Sequence, residues 1–503
     1  MVSFTRCLLT STALVCFAPG AFADVTADNV WSDWKTYISV FGYTVSGTQT
    51  RNGNALTVSG VVMQSQTDGP GQARINMDQI VLTERSDGSV EIDIPAVIPF
   101  QATSPNDQGG TTRVSMDYKN VGLSIVATGD PDAISYTYQA QEVSLETTGF
   151  EVNGKLLPPQ TNVIEVTFEN VSGSTDMTVD AKRNYEQSLD VGTLRYSVQM
   201  ADVASGNALE FTGQTQSLAL QSNSALPLRN VSATDMDAML AAGFTSDGKI
   251  SFLANASELV TQGRQAPFSG SFISGAGSID VSMGQDGLRY ELSQNDVSAQ
   301  FSTRQIPLPL SFDIAQSQFK LAVPVRKTDE AEDFALGFTL DGFSMSDMLW
   351  GMFDPGSELP REPATVSLDL TGKAKLLIDF LNPDMAALQA NPNTSPAELE
   401  SVEINTLQIK AVGAELTGAG KFSFDTNANG LPKPEGAVDL SLQGGNGLIN
   451  RLVAIGLLPE QQAMGARMMM GLLAVPGDGP DTLNSKIEIN TQGHVLANGQ
   501  RIQ

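Results

Sequence analysis

Cysteine is nearly absent from this chain of 503 residues. The two present, Cys7 and Cys16, both lie ahead of Asp24, so a chain starting there has no thiol. Disulfides, thiolate nucleophiles and cysteine-based zinc or iron–sulfur sites are thereby excluded. Histidine is scarcer still, with His494 alone. One imidazole cannot build a histidine-rich metal site. A Ser-His-Asp site also needs a nucleophile, and no G-x-S-x-G elbow occurs, so His494 reads as a turn residue. Walker A and Rossmann glycine patterns are missing, which argues against nucleotide chemistry and leaves no cofactor to expect. Basic residues are few, with 29 Lys and Arg against 56 Asp and Glu. Removing residues 1–23 takes Arg6 and no acid, which leaves 28 − 56 = −28. Such a field repels nucleic acid and anionic headgroups and keeps a protein soluble. The charges are spread along the chain, so they read as a solvated surface, not a disordered tail.

What is present begins with a leader, MVSFTRCLLTSTALVCFAPGAFA. Arg6 is its basic region, Cys7–Phe17 its apolar region, and Ala21-Phe22-Ala23 a small-residue cleavage site. This is the pattern of a secretory signal peptide, with cleavage expected after Ala23 and no transmembrane segment afterwards. The remaining 503 − 23 = 480 residues can form a core without staples.

The longest apolar stretch beyond the leader starts at Gly444: GGNGLINRLVAIGLLPEQQAMGARMMMGLLAVPG. It reads as a Met-rich helix pair over 445–475, split at Pro459, which suits a first helical position. Both halves are too short and too interrupted to span a membrane. Helices apolar nearly all round should be buried, so the expectation is a plug that closes a strand-built core. Met464, Met468, Met469 and Leu472 are its candidate lining for an apolar ligand.

An N-terminal helix is expected over Val25–Tyr43, capped by Thr26 and stopped by Gly42, with Val30, Trp34, Tyr37, Ile38 and Phe41 on its apolar face. Its aromatic residues invite a sugar or membrane reading, but at helical spacing they suit packing on a sheet better. From there apolar residues alternate with period two. Examples are Val90/Ile92/Ile94, Leu194/Tyr196/Val198/Met200 and Phe334/Leu336/Phe338/Leu340, with hairpins at Ser86–Ser89 and Gly284–Gly287. Polar residues at alternate positions give each strand one dry and one wet face. Short helices are expected near Asn230–Phe244, capped by Thr234, from Ser344, and over Asp379–Glu400. Ser232–Met236 and Ser344–Met348 form a weak internal repeat, which capping alone could produce. A closing hairpin is expected around Gln492-Gly493.

The fold class is therefore mainly β: long, largely antiparallel twisted sheet or sheets, with an N-terminal helix, two or three short internal helices, and a C-terminal helix pair plus hairpin. The regions are 24–228, 229–355 and 356–503, with Gly356–Pro363 as the best boundary. One metal-like motif exists. Asp425, Asn427 and Asn429 before Gly430 copy the first half of a calcium loop. The twelfth position is Gly436, and Pro432 and Pro434 stiffen the rest, so an Asn/Gly turn is the plainer reading. Paired carboxylates for polysaccharide hydrolysis cannot be located from spacing in a β protein.

Two segments carry a resemblance. The start DVTADNVWSDWKTYISVFGYTVSGTQTRNG and the finish from DLSLQGGNGLINRLV to LANGQRIQ resemble an exported alphaproteobacterial, Rhodobacter-like family of conserved domains of unknown function. The resemblance is strong at both ends and looser between. It implies a periplasmic protein of the Gram-negative envelope and carries over no site residues. The function expected is a non-enzymatic one, an apolar or lipid ligand held on the dry face of a curved sheet. The alternatives are an envelope scaffold or protein-interaction module and a carboxylate-based polysaccharide hydrolase.

Overall fold

The computed structural model describes residues 24–40, 42–65, 71–106, 109–159, 161–202, 205–228, 231, 235–263, 267–304, 306, 309–381, 396–426 and 432–503. The expected leader lies outside them. Helix α1, Ala27–Val40, starts as anticipated: the Asn29 amide donates to Thr26 Oγ1 (3.3 Å) and the Thr26 amide to Asn29 Oδ1 (3.0 Å). This reciprocal arrangement satisfies amides that the helix leaves unpaired. Gly42, at φ 79°, follows its end. Val30 and Trp31 are buried, with Trp34 and Tyr37 packed beside them, so the aromatic residues do serve the core. Phe41 lies outside the described residues.

The strands of the first part are β1 Tyr43–Asn52, β2 Ala55–Ser65, β3 Gln72–Glu84, β4 Val90–Asp93, β5 Val97–Pro105, β6 Thr111–Val121, β7 Ser124–Asp130, β8 Ala133–Val152, β9 Lys155–Leu156, β10 Asn162–Val179, β11 Lys182–Asp202 and β12 Asn207–Pro227. Helix α2, Met236–Ala241, is capped by Asp235, whose carboxylate accepts from the Ala238 amide; the expected cap Thr234 lies outside the described residues. Then come β13 Thr245–Phe252, β14 Ala254–Gln262, β15 Phe268–Ser274, β16 Gly277–Gly284, β17 Gly287–Thr303, β18 Leu310–Val323 and β19 Glu332–Met345. Helix α3, Asp347–Phe353, leads into β20 Ala364–Leu376, β21 Ala397–Ala411, β22 Ala414–Thr426 and β23 Pro432–Gln443. Helices α4, Gly445–Ala454, and α5, Glu460–Leu473, precede β24 Val475–Pro476, β25 Thr482–Ile489, β26 Val495–Ala497 and β27 Gln500–Arg501. Helix α3 begins after Ser346, not at Ser344. Of the helix expected over Asp379–Glu400, residues 397–400 are strand instead, with Ala397–Leu399 paired with Leu376–Ala374 of β20 and Glu400 skipped at a register shift. Their period-two pattern matched a neighbouring strand, and pairing overrode helix propensity.

Among the described residues the strands join one antiparallel sheet of 27 strands. Twice it divides and rejoins in the same way. Strand β3 pairs with β4 along one half and β5 along the other; β4 passes to β7, β5 to β6, and both arms meet on β8. Strand β12 likewise serves β13 and β14, which pass to β16 and β15 and meet on β17. This duplication is not the repeat expected from Ser232 and Ser344. The segment near 232 precedes a dividing arm and Ser344 precedes the undivided meander β20–β23. Pairing is continuous across residues 228–229 and 355–356 of the chain, through β12–β13 and β19–β20.

Along one line, paired strands carry an extra residue together. Gly60 and Asp78 are skipped between β2 and β3, and Gln141 and Asn170 between β8 and β10. Gly192 and Ser217 follow on β11 and β12, then Asp296 and Ala315 on β17 and β18. Gly60, Asn170, Ser217 and Asp296 take positive φ of 62°, 54°, 52° and 51°. Such residues bend strands and increase twist. Sheets of this width also twist by roughly 20–25° per strand. The result is a sheet creased along its width and strongly coiled.

A dense core exists at one end. Helix α1 lies on β1–β3, and Val58, Ile80, Leu82, Val90, Ile134 and Met177 are fully buried there. Within it sits a buried acid, Asp33, which the apolar pattern did not reveal. Its carboxylate accepts from the phenols of Tyr136 (2.6 Å) and Tyr185 (3.2 Å) and pairs with Arg183. Burial, then the Asp33 charge, pushes both phenols well above their ordinary pKa. The cluster fastens α1 to β8 and β11. Replacing Asp33 by Ala leaves Arg183 and two phenols unmatched, so stability should fall by about 3–5 kcal/mol. Urea unfolding followed by tryptophan fluorescence checks this, with an unchanged midpoint as the contrary result.

Candidate functional site

Directly paired residues of antiparallel strands share a face, so the register traces rows across the sheet. One row runs Ile125–Tyr138–Gly173–Leu189–Leu220–Ile250–Ile279. It continues Leu292–Phe319–Phe338–Leu368–Leu407–Gly418–Leu440. Every member is apolar, tyrosine or glycine. The row beside it, from Val281 through Tyr290, Leu321, Leu336, Leu370 and Ile404 to Gly420 and Val438, has the same character. Most of these residues are only half-buried: Ile250 is 38% exposed and Phe338 41%. The dry face is thus covered by α1 at one end and open over much of the remainder.

Gly173 in the first row, and Gly372 opposite Phe334 in the row beyond the second, are overlaid by rings. A Cβ on Gly173 would stand 2.6 Å from the Tyr138 ring, and one on Gly372 would stand 2.7 Å from the Phe334 ring. Flat rings over missing side chains give a smooth apolar floor. The opposite face is ionic. Lys249–Asp280 (2.9 Å), Lys373–Asp333 (3.1 Å) and Lys421–Glu403 (3.2 Å) are directly opposed pairs on neighbouring strands. The one-sided alternation of the sequence is therefore realised throughout.

At one end the floor opens into a cavity of ≈ 930 Å³. Strand β9 folds back on the end of β8, with the Leu157 amide donating to Phe150 O (2.8 Å) and the Ala201 amide to Thr161 O (2.6 Å). This wall faces Met200 and Leu209 of the row Asn162–Met200–Leu209–Thr261. Phe150, Leu156 and Leu157 complete the apolar part, while Lys155, Asn162, Asp202, Asn207 and Gln262 stand among them. Among the described residues of this lining Asp202 is the one carboxylate, so they hold no acid pair for a two-acid hydrolytic arrangement. Sequence reasoning named Met200 as a strand residue but had no means to join it to Leu156.

The Met-rich pair forms as α4 and α5, divided at Pro459, but it is not a buried plug. Met464 is 67% and Met468 70% exposed, and Met469 and Leu472 are also exposed; only Gly445 and Ala463 are buried. The two helices pack on each other, and α4 rests on β22, which leaves the methionines outward. The helix start is held by Asp481, which accepts from the amides of Gly447 (2.8 Å) and Asn446 (3.2 Å) and from the Asn446 side chain (2.8 Å). Burial pushes the Asp481 carboxyl up; these hydrogen bonds outweigh it and hold the group below its ordinary pKa.

Of the calcium candidates, Asp425 sits in β22 opposite Lys433, and Asn427 and Asn429 lie outside the described residues. His494 is half-buried beside the turn between β25 and β26, its amide donating to Asn490 Oδ1 (3.0 Å), as a turn residue should be. The closing hairpin forms as expected, with Ile487 opposite Ala497.

Residues 194–498 match the family described as an uncharacterized protein conserved in bacteria, DUF2125. The match begins within β11, takes in the C-terminal segment that carried the resemblance as far as Asn498, and leaves the N-terminal one outside. No curated protein matches the chain.

Gly372→Val would drive a side chain into Phe334 and the Ser401 carbonyl, so it should destabilise by roughly 1–3 kcal/mol. At Gly337 the nearest atom to a new Cβ is Lys320 Cβ at 3.3 Å, so Gly337→Ala should leave the urea midpoint almost unchanged. For Asp481, the folded pKa is lowered, so its stabilisation is present above roughly pH 4 and lost as pH falls through the folded value. Asp481→Ala should loosen α4 by about 1 kcal/mol at pH 7. Hydrogen exchange of residues 445–454 should show that loss at pH 7 and a shrinking difference as pH falls below roughly 4.

Proposed function

The chain belongs to DUF2125, a conserved bacterial family whose description carries no activity, and on that premise we propose that it is an exported, non-enzymatic periplasmic protein that holds an apolar or lipid ligand on the dry face of its sheet. The observation that carries this reading is the set of in-register apolar rows that stay half-exposed across β12–β23. Apolar surface contributes about 25 cal/mol for each Å² removed from water, and a bound acyl chain would remove it where the fold does not. The ionic opposite face and the net charge of −28 after the leader keep such a protein dispersed while its apolar face is exposed. Export rests on the leader pattern of residues 1–23.

A second reading has its own support. The outward methionines of α5 are a flexible apolar surface of the kind that suits adaptable protein contacts, and they favour an envelope scaffold or interaction module. Native mass spectrometry of the protein isolated from its own periplasm, with solvent extraction of co-purifying material, separates the two. A stoichiometric lipid supports the carrier, and Phe338→Asp with Leu321→Asp should then reduce its occupancy at least tenfold. A bare chain at its calculated mass, with an envelope protein captured by cross-linking at α5, supports the scaffold and ends the carrier reading.

A further inference from the structure

We infer that the cavity under β9 is the place where an acyl-chain amphiphile is loaded, tail first, onto the dry face; this rests on the carrier reading above. Its volume of ≈ 930 Å³ falls within the range of roughly 300–1,000 Å³ usual for small-molecule sites. The position is specific. The floor made by Met200 and Leu209 continues into the next row, Val198–Phe211–Leu259, which runs on across the strands through Gly270 and Phe301 to Leu310, so a tail lying along that row meets no polar side chain; along the strands it would meet Ser257, Thr215 and Asn255 instead. The wall is a built feature, because β9 is paired back onto β8, and Leu156, opposite Glu151 on that hairpin, stands in the lining 60% exposed. Phe150, Met200 and Leu209 in one lining suit an apolar chain. Lys155, Asn162 and Asn207 in the same lining supply donors for a polar head. An amphiphile with a hydrogen-bonding head and one long tail satisfies both sets at once. A polysaccharide would leave the leucine and methionine surface unmatched, and a wholly apolar molecule would leave the polar lining dry and unpaired.

The test uses the full mature chain and a diazirine-bearing fatty acid as the photoreactive probe, with cross-links mapped by mass spectrometry after proteolysis. Labels should concentrate on segments 150–157 and 200–209. Leu156→Asp combined with Met200→Asp should cut those labels at least tenfold with circular dichroism unchanged, since both residues are exposed. Met200→Ala, which keeps the lining apolar, should retain them. Labels on strands 319–340 with none at the cavity would overturn the loading site and leave the carrier reading intact. Labels confined to helix 460–473 would overturn it in favour of a surface contact at the methionines. No label above that of denatured protein would remove both this inference and the carrier reading.

Discussion

Backbone pairing in a sheet obliges neighbours to share their irregularities. An extra residue in one strand alone shifts all later pairs by one and turns the apolar set to the wrong face. Here Gln141, Asn170, Gly192 and Ser217 are extra in four successive strands, so register survives while the alternation changes parity. On β11 the apolar series passes from Leu189 and Val191 to Leu194 and Tyr196 across Gly192, and one continuous dry face results. The same line locates the turns of the dividing arms: the Leu253 amide donates to Gln216 O and the Gly275 amide to Asn295 O. The crease is thus what allows long strands to bend without losing the face on which any ligand would lie.

How that face is covered differs along the sheet. At the first end α1 brings Val30, Trp31 and Trp34 onto β1–β3, and Asp33 ties it to strands more than a hundred residues away. A carboxylate is an expensive group to bury, and three partners offset that cost while fixing the helix in one position. Later helices do less covering. Helix α2 is fastened at the strand ends through Lys182 Nζ to Gly243 O (2.7 Å) and Arg326 to Asp237 (2.6 Å). Helix α3 buries Trp350, with the Arg361 guanidinium 5.6 Å from its ring centroid. Among the described residues, helix α1 covers this face at one end and much of the rest stays half-exposed.

Much of this was legible in the chain. Alternation in segments such as Phe334–Leu340 gave strands because period two survives without knowledge of neighbours. Thr26, Gly42 and the Gly284–Gly287 turn gave correct ends because their chemistry is local. Register, the double division of the sheet and the shared crease were not legible, since they depend on which distant strands meet. Asp33 was hidden for the same reason: its partners Tyr136, Arg183 and Tyr185 lie far along the chain. Met464 and Met468 misled in the other direction. An all-round apolar helix is normally buried, but two helices that satisfy part of each other's surface can sit at an edge with methionines outward. The candidate cavity needed Leu156 and Met200 brought together by the fold-back of β9, which no spacing announces.

An uncovered floor has a consequence for stability itself. A side chain left half in water forgoes about half of the roughly 1.5–3 kcal/mol that full burial of a Leu or Phe would contribute. Summed over the rows from Leu220 to Leu440, the missing contribution is large on the scale of a folded protein's net stability. A ligand that binds only the folded sheet restores part of it, and stability then rises with ligand concentration by mass action. Two copies could instead bury the floors against each other, since the rows are apolar on both. Mutual repulsion between chains of net charge −27 opposes that association at low ionic strength and is screened over about 8 Å in physiological salt. The net negative charge and the half-exposed dry face thus act against each other in self-association: one holds copies apart, the other would draw them together.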